Sequence, residues 1–185
     1  YAVIGKKTAL IDLVRDWDDA PAGFTEKLNS IGLEVSKIDY LVLNHLEPDH
    51  TGWLKDFKQK NPKIKILTTA KGAALIKQFY GISEGIREVK TGDSLDLGAG
   101  KVLKFVEAPN VHWPETMVTY ETSRKVLFSC DAFGSYGALK NAVFDDQLSM
   151  EDSNFFERET LRYYANIVSS FSKFVERAVA KLKDL

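Results

Sequence analysis

The chain has 185 residues, 44% hydrophobic and 11% aromatic, enough apolar material for one substantial core and hence for a single domain over residues 1–185. Its 25 basic and 26 acidic side chains leave a formal charge of -1 with no basic stripe, which argues against a nucleic-acid partner. No apolar run approaches the roughly 20 residues that span a bilayer, and the single cysteine, Cys130, rules out an internal disulfide and suits a reducing, cytoplasmic compartment.

The chain opens at Tyr1 directly on an apolar strand pattern at residues 2–4, as though upstream residues had been removed. Residues 8–14 read as a strand, 24–31 as a helix stopped by Gly32, and 38–44 as a further strand. Ile38, Leu41, Val42 and Leu43 form a nearly continuous apolar run, the pattern of a strand buried on both faces. Helices near 52–60 and over 70–80 then alternate with strands at 63–68 and 87–90. After a turn signal at Thr91-Gly92-Asp93 the pattern becomes antiparallel, with strands at 101–108, 117–121 and 125–129, the last two joined by the polar turn Thr122-Ser123-Arg124. Residues 132–150 are rich in Gly, Asn, Asp and Ser and are expected to loop over the surface before a long helix from 155 to 185 closes the domain. That helix ends without a glycine cap or a following element, so truncation is expected at this end too. Alternating β–α units followed by a meander predict a mixed α/β fold.

Four candidate metal ligands, His45, Glu47, Asp49 and His50, fall within six residues between a buried strand and a helix. Charged side chains are seldom desolvated unless paired or metal-bound, and open α/β sheets hold their sites beyond the carboxyl ends of strands. The alternative is a solvated acidic turn in which Asp49 or Thr51 caps the next helix. The third of the chain's three histidines, His112, lies in the turn Pro109-Asn110-Val111-His112-Trp113-Pro114, where alone it reads as a polar surface residue. Asp131 follows the apolar strand Val126-Leu127-Phe128, with a plain turn aspartate as its alternative. Three such groups at three strand ends jointly favour a metal site. Trp113, Phe133 and Tyr136 flank the ligands in sequence and would either dry the pocket or serve as ordinary packing.

The order His45-x-Glu47-x-Asp49-His50, then His112, then Asp131 in Ser129-Cys130-Asp131-Ala132-Phe133-Gly134, resembles the metallo-β-lactamase-like domain of flavodiiron proteins. Supporting phrases are Thr91-Gly92-Asp93-Ser94-Leu95-Asp96-Leu97-Gly98, His112-Trp113-Pro114-Glu115-Thr116-Met117 and Arg162-Tyr163-Tyr164-Ala165-Asn166-Ile167, so the likeness runs through nearly the whole chain. It implies a metallo-β-lactamase-like αββα sandwich and two non-haem irons. His45, Glu47 and His112 would hold one, Asp131 would bridge both, and Asp49 would hold the second, with His50 a ligand in some members and displaced in others. In the wider hydrolase superfamily a histidine stands where this chain has Glu47; carboxylate-rich sets suit iron, whereas zinc hydrolases lean on nitrogen and sulfur. The family's second iron takes a further histidine after the last helix, which is absent from these residues; truncation is the expected cause. Asp12 occupies a position where the superfamily keeps an aspartate that supports the ligand loop, and would orient a histidine there, unless it is a plain strand-end residue.

The implied activity is reduction of O2 or NO at the two irons, with no catalytic residues beyond the metal ligands. Electrons would come from FMN in a flavodoxin-like domain outside these residues or from a rubredoxin-like donor, usually within a homodimer. Two other functions compete: a stand-alone diiron sensor that binds O2 and signals to a partner protein, and a metal-dependent hydrolase, against which Glu47 argues.

Overall fold

The structure, a computed structural model, describes residues 1–138, 145–183 and 185. Two sheets carry the architecture. In the first, β1 (Ala2–Ile4) pairs antiparallel with β2 (Thr8–Ile11), and β3 (Tyr40–Val42), β4 (Lys65–Thr68) and β5 (Ile86–Glu88) add in that order as parallel strands. The second is an antiparallel meander of β6 (Ser94–Gly98), β7 (Lys101–Glu107), β8 (Met117–Glu121) and β9 (Val126–Phe128).

Three apolar layers hold these sheets. Leu10, Leu41 and Ile66 point from the first sheet toward Leu28 of α1 (Ala20–Ser30), Leu54 and Phe57 of α3 (Leu54–Lys60) and Ile76 of α4 (Ala70–Tyr80). The alternate residues Ala9, Ile11, Val42 and Leu67 face the opposite way and meet Leu95, Leu97, Leu103, Phe105 and Met117 of the second sheet. Outside that sheet, Val168 and Ala178 pack with Ala108 and Val111 just beyond β7. Helix, sheet, sheet, helix is the expected αββα sandwich. The central strands are apolar on both faces because both are covered, and each fully buried Leu or Ile contributes about 1.5–3 kcal/mol. No helix among the described residues is long and apolar enough to cross a membrane.

Several elements depart from the sequence expectation. Helix α1 begins at Ala20, because Pro21 in its first turn pre-sets helical φ after Asp18 and Asp19 turn the chain in the left-handed region. The single helix expected at 52–60 is two, α2 (Pro48–Thr51) and α3: Trp53 leaves helical geometry at ψ 1° and buries its ring. The strand β6 lies where only a connection was expected; its burial alternates, with Leu95 and Leu97 inward. A short 3-10 turn at Cys130–Phe133 leads into the segment 132–150, which holds another at Asp145–Gln147, while 139–144 lie outside the described residues.

The long closing helix is also divided. Helix α5 (Met150–Tyr163) starts earlier than expected, capped by the Ser149 hydroxyl accepting from Asp152 N–H at 3.1 Å. A π turn (Tyr164–Val168) and a 3-10 turn (Ser169–Phe171) then separate it from α6 (Ser172–Leu182). In that stretch Asn166 and Ser169 donate to the Arg162 and Ala165 carbonyls four residues back, which loosens the regular ladder. The break lets Val168 and Ala178 both face inward.

Candidate metal centre

The ligand loop leaves β3 through Asn44, a buried residue that ties both sheets together. Its backbone N–H donates to Asp12 Oδ1 at 2.8 Å, its Nδ2 donates to the Phe128 carbonyl at 3.0 Å, and its Oδ1 accepts from Thr119 Oγ1 at 2.7 Å. Further along, the Thr51 hydroxyl lies 3.1 Å from the Leu46 and Glu47 carbonyl oxygens and 2.8 Å from the Tyr80 hydroxyl. Gly52 permits the tight exit, since a Cβ there would meet the Pro48 carbonyl oxygen at 2.7 Å and the Asp16 nitrogen at 2.9 Å. Asp131 arrives from the other sheet, on the 3-10 turn after β9, where Cys130 adopts φ 43°.

His45, Glu47, His112 and Asp131 converge, each offering one ligand atom, with all four atoms within 4.8 Å of one another. Glu47 Oε2 stands 3.2 Å from both His45 Nε2 and His112 Nε2. Asp131 Oδ2 completes the group at 3.8 Å from His45 Nε2 and 3.5 Å from His112 Nε2. Asp49 and His50 stand outside this foursome, on the other side of Asp131. His50 Nε2 lies 3.0 Å from Asp131 Oδ1 and 3.7 Å from Asp49 Oδ2, and its Nδ1 lies 3.5 Å from Asp12 Oδ2. The two oxygens of Asp131 thus address two different sets. A cleft of about 650 Å³ lined by Asp12, Asp49, His50 and Cys130 opens beside the second set.

The electrostatics follow from this crowding. Burial pulls the His50 imidazole down, but Asp12 and Asp131 outweigh it and push its pKa up to about 10. Burial likewise opposes charge on His45, yet Glu115 and Asp131 leave it above its ordinary value. Asp131 is held low despite burial by its bond to His50 and by the three imidazoles around it. The thiol of Cys130 is pushed well up by burial and by Asp12 and Asp131, and it donates to the Met117 carbonyl at 3.7 Å.

Two imidazole nitrogens and two carboxylates on one small volume fit a cation of the iron or zinc class with bonds of about 2 Å. Among the flanking aromatics, the Trp113 ring meets His45 edge-on at 5.3 Å, Tyr136 packs on Tyr163 at 5.3 Å, and Phe133 leaves 51% of its surface exposed. Two residues at the site escaped the sequence reading. Glu115 is fully buried against His45, with Oε1 3.0 Å from the ring Nδ1. Tyr163 reaches across Gly134, where a Cβ would lie 2.7 Å from its ring, and its hydroxyl pKa is raised by burial and by Asp131 and Glu47. The only sequence signal for either was its place in a phrase already singled out for another reason.

The sequence profile of a family described as "ODP family beta lactamase" matches residues 6–182. The anaerobic nitric oxide reductase flavorubredoxin of Aliivibrio salmonicida is 37% identical over 186 residues, covering 100% of this chain and 35% of its own length. The diflavin flavoprotein A 1 of Synechocystis is 44% identical over 116 residues, 63% of this chain and 20% of its own. Among solved structures, the rubredoxin oxygen:oxidoreductase of Desulfovibrio gigas superposes with a TM-score of 0.89 at 32% identity. A flavoprotein of Thermotoga maritima gives 0.86 at 30%. Both superpositions cover 100% of this chain and 44% of the other. The chain therefore spans about a third or less of the length of these two curated relatives and 44% of the two superposed chains.

Proposed function

This chain belongs to the ODP beta-lactamase family, as the metallo-β-lactamase-like diiron domain of a flavodiiron protein, and on that premise we propose that it reduces O2 or NO at two non-haem irons. The observation that carries the proposal is the position of Glu47, whose Oε2 lies 3.2 Å from the Nε2 atoms of both His45 and His112. A carboxylate set between two imidazoles gives the two-histidine, one-carboxylate group that non-haem ferrous iron takes with open positions beside it. His45, Glu47 and His112 would hold one iron. Asp131 would be shared between the two, since its Oδ2 faces that set while its Oδ1 faces His50. Asp49 would serve the second iron, with His50 beside it as a further ligand, and Asp12 fixes the loop through Asn44 N–H.

When bound, the iron pair supplies electrons and open coordination positions to a small ligand. The chain's own residues orient and shield. Trp113 packs edge-on against the His45 ring, and burial together with Asp131 and Glu47 pushes the Tyr163 hydroxyl up, so that it keeps its proton. The electron source is assigned to an FMN-bearing domain or partner and the compartment to the cytoplasm, in keeping with the flavoprotein names of the relatives and the lone free Cys130.

Anaerobically prepared full-length protein should retain two irons per chain and consume O2 or NO when given a reductant. Glu47→His should lower iron and raise zinc in elemental analysis, with the fold unchanged by circular dichroism. Zinc as the resident metal of the unaltered protein, together with phosphodiester turnover, would overturn the reading.

A further inference from the structure

Glu115 is anchored more firmly than a packing residue requires. It sits three residues after His112, so one turn supplies a ligand and reaches the back of another. Its carbonyl accepts from Thr69 Oγ1 at 2.9 Å, and Thr69 itself caps α4 through Gly72 N–H at 3.1 Å. The side chain is 0% exposed, and a single oxygen, Oε1, accepts from Leu46 N–H at 3.0 Å and lies 3.0 Å from His45 Nδ1. Among the described residues no hydrogen-bond partner reaches Oε2.

That arrangement poses a question of charge. A glutamine would accept the same two hydrogen bonds from its amide oxygen without placing a charge in the protein interior, where uncompensated charge is costly. A carboxylate is favoured when a cation stands close enough to offset it. The ring of His45 ends at Nε2, within the group of four ligand atoms. We propose that Glu115 is a positioning residue for His45. It holds the ring in the tautomer with the proton on Nδ1, leaving Nε2 free for metal, and lends the ring negative character that strengthens that bond. By binding Leu46 N–H with the same oxygen it also fixes the backbone between His45 and Glu47. The inference rests on the metal centre proposed above.

The test is anaerobic titration of full-length protein with ferrous iron against a competing chelator, comparing the unaltered protein with Glu115→Gln. The variant should unfold at a similar denaturant midpoint yet bind iron about 10–100-fold more weakly, since it keeps the shape and acceptor but loses the charge. Equal affinity in the two proteins would overturn the role of Glu115 and leave the metal centre standing. Failure of the unaltered protein to bind iron would instead remove the centre itself. A second measurement needs no variant: nitrogen NMR of the zinc-loaded, unaltered protein should show His45 protonated at Nδ1 and metal-bound at Nε2. The reverse assignment would overturn the proposal even if Glu115→Gln did not fold.

Discussion

His50 is poised between two carboxylates, and that makes the metal-free protein sensitive to alkali. Its folded pKa of about 10 lies above the ordinary 6.5, so the proton it holds stabilises the fold fully below about 6.5. This contribution is lost as pH rises through about 10. Urea midpoints of chelated protein should therefore fall between those limits, and His50→Gln should flatten the slope; an equally steep slope in the variant would place the titration elsewhere. The same residue shows what sequence could convey. His45, Glu47, Asp49, His50, His112 and Asp131 stood out because reactive side chains at the ends of apolar strands are conspicuous in one dimension. Glu115 was not, because its meaning comes from contact with a ring 70 positions away. Nothing in Trp113-Pro114-Glu115 says which histidine the carboxylate will touch. Residue types and spacing alone could not divide the ligands into a foursome and a flanking pair, since that depends on which way each oxygen of Asp131 faces; only the family resemblance implied the split.

At the scale of elements, the ligand loop depends on the short helix α2 turning directly into α3. Gly52→Ala would press a Cβ against the backbone at Pro48 and Asp16, neither of which can move without shifting the loop. The expected cost is about 1–3 kcal/mol in denaturant unfolding, with weaker metal retention. Gly23→Ala in α1 is the matched control: its Cβ meets nothing within 4 Å, and better helix propensity should stabilise by up to about 1 kcal/mol. If the two substitutions had equal effects, close approach at Gly52 would not be what shapes the loop. Such breaks were the least legible features of the chain. Residues 52–60 carry an unbroken helical pattern, and it is the burial of Trp53, a tertiary demand, that interrupts it. The closing helix gave no Gly or Pro signal between α5 and α6. By contrast Leu41, Val42 and Leu43 announced a doubly covered strand because burial on both faces leaves no polar position to blur the pattern. Strand β6 was missed because only Leu95 and Leu97 mark its inner face, too few to fix a period.

Across the whole molecule, the four converging ligands belong to both halves of the sandwich. His45 and Glu47 follow β3 of the first sheet, whereas His112 follows β7 and Asp131 follows β9 of the second. A cation held by all four therefore joins the sheets at one edge, beside the link that Asn44 already makes to Phe128 and Thr119. Such a ligand binds the folded chain and not the separated sheets, so it should stabilise by mass action, about 2.7 kcal/mol at a free concentration one hundred times its Kd. Adding ferrous iron to chelated protein should raise the thermal midpoint while keeping one cooperative transition, followed in parallel by circular dichroism and tryptophan fluorescence. Asp131→Ala should lose most of that rise, because it removes the ligand contributed by the β9 end and the contact to His50 together. Were iron to raise the midpoint equally in that variant, the cation would be held by one sheet alone. The convergence at Asp131 would then not be what couples the metal to the fold.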